Sequence, residues 1–138
     1  MSTKIALSTG ELSLRQLDRA LVHMPVDLSF VDADGYVRYY SESPNRLFKR
    51  TPSVIGRHVE TCHPKKSLAV VRQILNAFAE GKKDEAKFWL TLNGRFILIR
   101  YIAVRGENGD YLGCLEVSQD VTEIRSLEGE RRLLDWEE

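Results

Sequence analysis

Cys62, His63 and Pro64 stand together, and His58 lies four residues before Cys62. Thiolate sulfur and imidazole nitrogen are both ligands for zinc and for haem iron. A structural zinc needs four ligands, and no convincing fourth stands in the sequence. A haem iron needs only one or two protein ligands, so Cys62, His63 and His58 form a candidate haem or metal set. The plainer alternative is that Cys62 packs as a small apolar residue and His63 caps or packs. A Cys–His nucleophile pair is a poor reading. Neighbouring residues on a helix diverge in direction, and no oxyanion-hole motif accompanies them. The expected chemistry is binding, and the chain is read as no enzyme.

Three arginines are candidates for an anionic ligand: Arg57, Arg100 and Arg105. Arg100 is the informative one, because it interrupts an apolar run, and a buried guanidinium needs a partner. It can grip a ligand carboxylate in a bidentate pair, or pair internally with Glu116; the internal pair is the preferred expectation. Leu98, Phe88, Phe96 and Tyr101, with Trp89, are candidates to line a mostly apolar pocket between sheet and helices. The alternative is a filled core. His23 and Cys114 read as structural.

These residues need elements to position them. Ser13-Leu14-Arg15-Gln16 has the form of a capping box, and Leu14, Leu17 and Leu21 follow at helical spacing, which predicts a helix over about 13–24 ended by Pro25. Two strands, Asp27 to Asp32 and Tyr36 to Tyr40, flank a tight turn at Asp34-Gly35. One- or two-turn helices are expected between Ser41 and Gly56. A longer helix starts near Pro64, carries Leu68, Val71, Ile74, Leu75 and Phe78 as its apolar stripe, and is closed by Gly81. Three strands follow: Glu85 to Leu92, Arg95 to Arg105 and Tyr111 to Gln119. Asn93-Gly94 joins the first two. A final helix is expected over about 121–136. Five antiparallel strands with helices grouped mid-chain make an α+β domain.

The bulk numbers agree with one domain spanning 1–138, its core about 24–120. The chain has 138 residues, 43% hydrophobic and 29% charged, with zero formal net charge. No basic footprint for nucleic acid is expected. No apolar run approaches the roughly 20 residues of a membrane span, and the first ten residues lack a signal-peptide core. Two cysteines are no disulfide framework, which points to a reducing, cytoplasmic setting.

The strand Arg95 to Arg105 is apolar on both sides: Phe96, Leu98, Ile102 and Val104 on one, Ile97, Ile99, Tyr101 and Ala103 on the other. A sheet with one wet face alternates apolar and polar residues. Both faces are therefore expected to be covered, one by the mid-chain helices and the other partly by the first helix and partly by a second copy of the chain. The alternative is that the two terminal helices cover that face alone.

Phe30-Val31-Asp32-Ala33-Asp34-Gly35-Tyr36-Val37-Arg38-Tyr39 resembles the opening hairpin of PAS domains. Asp120-Val121-Thr122-Glu123 resembles the Asp-Ile-Thr ending that closes the PAS sheet. The resemblance is closest to the subgroup found at the C-terminus of bacterial and archaeal proteins with a hemerythrin-like domain. It rests on Pro25-Val26-Asp27, Gly56-Arg57, Cys62-His63-Pro64, Lys66-Ser67, Gly81-Lys82-Lys83-Asp84, Phe88-Trp89, Arg100-Tyr101 and Leu127-Glu128-Gly129-Glu130. It implies a PAS fold and a sensory module: a small ligand or cofactor held between sheet and helices, a homodimer, and a C-terminal helix that signals to a partner protein. Some PAS domains bind haem, which makes haem a candidate cofactor here. Two alternatives stay open: a purely structural dimerisation module with a filled core, and a haem or metal sensor using Cys62 or His63.

Overall fold

The computed structural model describes residues 3–44 and 46–136. A small hairpin comes first, β1 (Lys4–Ala6) paired with β2 (Glu11–Ser13). Strands of three residues carry too little pattern to be read from sequence, and this hairpin was not expected. Helix α1 (Leu14–His23) follows; Ser13 Oγ accepts the Gln16 amide at 3.0 Å and Gln16 Oε1 accepts the Ser13 amide at 2.9 Å.

The main sheet has five antiparallel strands: β3 (Asp27–Asp32), β4 (Val37–Tyr40), β5 (Glu85–Leu92), β6 (Arg95–Arg105) and β7 (Tyr111–Asp120), in the order β4-β3-β7-β6-β5. The last strand therefore sits in the middle, where it joins the opening hairpin to the closing one. Asn93 and Gly94 both take positive φ, 50° and 78°, the conformation a two-residue hairpin turn needs.

Between the hairpins the chain makes two single-turn 3-10 segments, Pro52–Val54 and Val59–Thr61, then α2 (Lys65–Ala79). The stretch 46–50 is not helical; Asn45, with which its expected helix opens, lies outside the described residues. Helix α2 ends in a Schellman motif. Gly81 (φ 74°) donates to Phe78 O at 3.1 Å, and the Lys82 amide donates to Ala77 O at 2.9 Å. Phe78 and Ile97 are the core's anchors, at 1% and 0% exposure, with Val59, Val71 and Cys114 also buried.

The expected C-terminal helix is absent. After one 3-10 turn, Ile124–Ser126, the chain continues without regular structure to Trp136. Gly129 adopts φ 65°, and a short charged segment gains helix only by laying an apolar stripe on a surface. Here Leu127, Leu133, Leu134 and Trp136 all face solvent. The terminal helices therefore do not share out the second sheet face. Among the described residues, no helix is long and apolar enough to cross a membrane.

Candidate ligand site

The register fixes which residues look toward the helices. Val31 pairs with Cys114, Ala103 with Cys114, Tyr101 with Glu116, and Ala86 with Tyr101. Because side chains alternate along a strand, the inner face carries Ser29, Val31, Cys114, Glu116, Ser118, Ile97, Ile99, Tyr101 and Phe88. The outer face carries Phe30, Leu115, Val117, Phe96, Leu98, Arg100, Ile102, Val104 and Trp89.

This parity divides the candidate pocket residues. Phe88 and Tyr101 meet edge to face on the inner side, ring centroids 6.0 Å apart. Leu98, Phe96 and Arg100 lie on the outer side and do not join them. Arg100 cannot make its expected pair either: it pairs with Val117, one residue from Glu116 and hence on the opposite face. Glu116 has Arg50 instead, at 4.0 Å. A strand apolar on both sides hides which side is the core, and this is the physical reason the pocket list mixed two faces.

The remaining arginines hold backbone. Arg105 donates to Phe78 O at 2.9 Å and Lys83 O at 3.2 Å and pairs with Asp84 at 3.1 Å, closing the end of α2. Arg57 donates to Thr61 O at 3.2 Å. Arg46, which no sequence signal singled out, does more. It donates to Phe48 O (2.8 Å), Ser41 O (2.7 Å), Leu28 O (3.2 Å) and Ser29 Oγ (3.1 Å), with its guanidinium over the Tyr40 ring. Asp27 accepts from the Leu47 amide at 2.5 Å and from Ser43 Oγ at 3.1 Å. Together these two side chains pin residues 41–48 to β3. Burial lowers the Arg46 pKa, and the Asp27 carboxylate opposes that shift.

The metal candidates separate. His58 Nε2 donates to Asp34 O at 3.2 Å while Nδ1 accepts the Glu60 amide at 3.2 Å, so both nitrogens serve the hairpin. The imidazole fills the space above Gly35, where an added Cβ would come within 2.5 Å of Nε2. Cys62 Sγ has Thr61 Oγ1 at 4.0 Å. His63 differs: Nδ1 donates to Val59 O at 3.0 Å, which frees Nε2, and the ring lines a cavity with Tyr101, Cys114 and Glu116. Val31, Val59, Val71, Ile74 and Leu75 complete its wall. This space is about 20 Å³, room for one water, whereas sites for larger ligands run to roughly 300–1,000 Å³. Haem does not fit these residues as they are packed. Among the described residues, no three His, Cys, Asp or Glu side chains gather as a metal site.

The electrostatics of the cavity follow from burial. The Cys114 thiol is pushed up to about 12, first by burial and then by the Glu116 carboxylate, so it is a neutral thiol. Burial and Glu116 likewise raise the Tyr101 phenol. Glu116 thus stands as the negative charge of the cavity wall.

At the sheet's exit, Asp120 Oδ1 accepts from Thr122 N (3.0 Å) and Oγ1 (2.6 Å), and Oδ2 accepts from Arg95 Nε at 2.6 Å. Thr122 Oγ1 also accepts the Phe96 amide at 2.8 Å, and the Arg125 guanidinium lies 4.0 Å from the Phe96 ring centroid. These bonds, Thr122 first and Arg95 after, hold the Asp120 carboxyl at about 2 instead of 3.8. A depressed carboxylate stabilises the fold above its ordinary value and loses that contribution as pH falls through the lowered one. Asp120→Asn is therefore expected to be less stable than the parent at pH 7, with the two converging between about pH 4 and pH 2. Denaturant midpoints measured across that range check it; a difference constant with pH would refute the role of ionised Asp120.

The PAS-domain family model matches residues 17–122. The chain is 36% identical to the C-terminal domain of a protein from Streptococcus mutans, covering 92% of this chain and 98% of that one, with a TM-score of 0.88. It is also similar in fold to the PAS domain of a protein from Colwellia psychrerythraea (17% identity, 80% and 98% coverage, TM-score 0.56). A sensory box sensor histidine kinase from Vibrio cholerae is a further likeness (15% identity, 78% and 90% coverage, TM-score 0.55). No curated protein matches the chain.

Proposed function

Since the chain belongs to the PAS domain family, we propose that it is a sensory module that binds a small ligand between α2 and the inner sheet face and pairs with a second copy through the outer face. The observation that carries the ligand reading is the cavity: in a wall otherwise made of Val31, Val59, Val71, Ile74 and Leu75, four side chains with polar atoms converge, His63, Tyr101, Cys114 and Glu116. A ligand site is mostly apolar with a few placed polar groups, and of the sequence candidates His63 and Tyr101 belong to it. Its small volume means that occupancy must move α2 or the segment from Val59 to His63, the walls that face the sheet. Such a movement makes binding a signal only if the ligand prefers one of the two arrangements.

The outer face supports the pairing. Trp89 is 64% exposed on it, and Phe96, Leu98, Ile102, Val104, Leu115 and Val117 are only half-buried. Burying such a face is worth about 25 cal/mol per Å². The exit clasp of Asp120, Thr122 and Arg95 links this sheet to the segment beyond Ile124, which we take as the route to a partner protein. We also place the chain in the subgroup that accompanies hemerythrin-like domains, a reading supported by its likeness to another C-terminal domain.

A second reading, a dimerisation module with a filled core, is favoured by the cavity's size alone. Native mass spectrometry of the untreated protein separates the two. A dimer with retained mass supports the sensor, and a dimer without it supports the filled module. A monomer, unchanged by Leu98→Glu on the outer face, overturns the pairing.

A further inference from the structure

We infer that the ligand of this site is a small primary amine, bound as its ammonium; the inference rests on the ligand reading above and deepens it. The cavity's hydrogen-bonding character is set by its neighbours. Val59 O can only accept, so the His63 Nδ1 that meets it at 3.0 Å carries the proton. In the neutral ring Nε2 is then an acceptor. Glu116, also in the cavity wall, brings a carboxylate, an acceptor. Tyr101 lies opposite it in the register and offers a hydroxyl that either donates or accepts. Two acceptors and one adaptable group call for a donor-rich head.

Charge and size narrow the class. Arg50 is the cation nearest to Glu116, at 4.0 Å, too far for a hydrogen bond. The carboxylate therefore remains open to a closer cation. The space of about 20 Å³ takes a head the size of a water molecule. An ammonium meets that limit; a carboxylate or phosphate exceeds it and meets Glu116 with like charge. A short alkyl chain behind the head exceeds the space as packed and enters only as Ile74 and Leu75 of α2 give way. Arg50 competes with the ligand for Glu116, so its removal strengthens binding where the removal of an anion-binding arginine weakens it.

The test is a titration of the full chain with n-propylammonium, 1-propanol and propionate, followed by side-chain and amide NMR shifts at His63, Tyr101 and Glu116. The amine is expected to bind at least about tenfold more tightly than the other two. Glu116→Gln is expected to weaken it by about tenfold or more, and Arg50→Gln to strengthen it. Preference for propionate or propanol, or weaker amine binding in Arg50→Gln, overturns the amine while leaving a ligand site standing. No shift with any of the three probes overturns both. Should Glu116→Gln fail to fold, the opposite sign at the more exposed Arg50 still decides the question.

Discussion

Gly113→Ala is expected to cost about 3–5 kcal/mol and to lower the melting temperature by roughly 10–20 °C. Gly113 lies in β7, the central strand, at φ 151°. An added Cβ would stand 2.3 Å from Val31 O, 2.6 Å from Phe30 Cζ and 3.1 Å from Asp32 Cα. Two of these are backbone atoms of the paired strand and cannot swing aside. Only separation of β3 from β7 makes room, which breaks the one seam that joins the two hairpins. Gly109→Asn is the control: its φ is also positive, 86°, but no atom lies within 4 Å of the added Cβ. It should cost under about 1 kcal/mol, because Asn tolerates the left-handed region. Thermal unfolding followed by circular dichroism reads both. Equal melting temperatures for the two variants would refute the steric account.

Arg46→Ala should cost about 3 kcal/mol and free residues 41–50 from the sheet. The side chain supplies donors to three backbone carbonyls and two serine hydroxyls, and it is the counter-charge to buried Asp27. Truncation takes this donor from Phe48 O, Ser41 O and Ser29 Oγ beside a 0%-exposed Ser41, while Leu28 O keeps the Ser41 amide at 2.9 Å. Arg46→Lys should restore little, because one ammonium cannot reach Phe48 O, Ser41 O and Ser29 Oγ together. Hydrogen exchange is the direct readout: amides of 46–50 should exchange faster in the variant while those of β6 and β7 keep their protection relative to each other. Uniform acceleration across the sheet would make Arg46 a global stabiliser and not a local staple.

How far the residues themselves foretold this structure depended on how local the physics was. Asn93-Gly94, the stripe of α2 and the Gly81 stop were legible because each is decided by neighbours in sequence. The composition of the two faces of β6 was legible too, but not which face meets the helices. That depends on the partner strands, and a side chain such as Arg100 reverses its meaning with the answer. Cys62-His63 drew attention as a pair, yet the fold uses His63 alone and sets it beside Cys114 and Glu116, more than fifty positions away. Such a site is assembled by register and has no local signature. Arg46 was missed for the same reason: its acceptors come from 28, 29, 41 and 48. The final helix failed in the opposite way. Leu127, Leu133 and Leu134 suggest a helix, but the stripe has no surface to lie against, and Gly129 takes a turn.

The clasp at the sheet's exit has a mechanical consequence. Thr122 is tied to the first residues of β6, and Asp120 to Arg95 beside the Asn93-Gly94 turn, so the chain leaving at Ile124 is anchored where two adjacent central strands meet. A pull applied beyond Leu127 would not peel the sheet from its edge. It would slide β7 along β6, loading a row of backbone hydrogen bonds at once. The domain is built to resist tension at that end far better than at β5, whose outer edge has no strand partner among the described residues, and a device hung from the tail can be tugged without unravelling the sheet behind it.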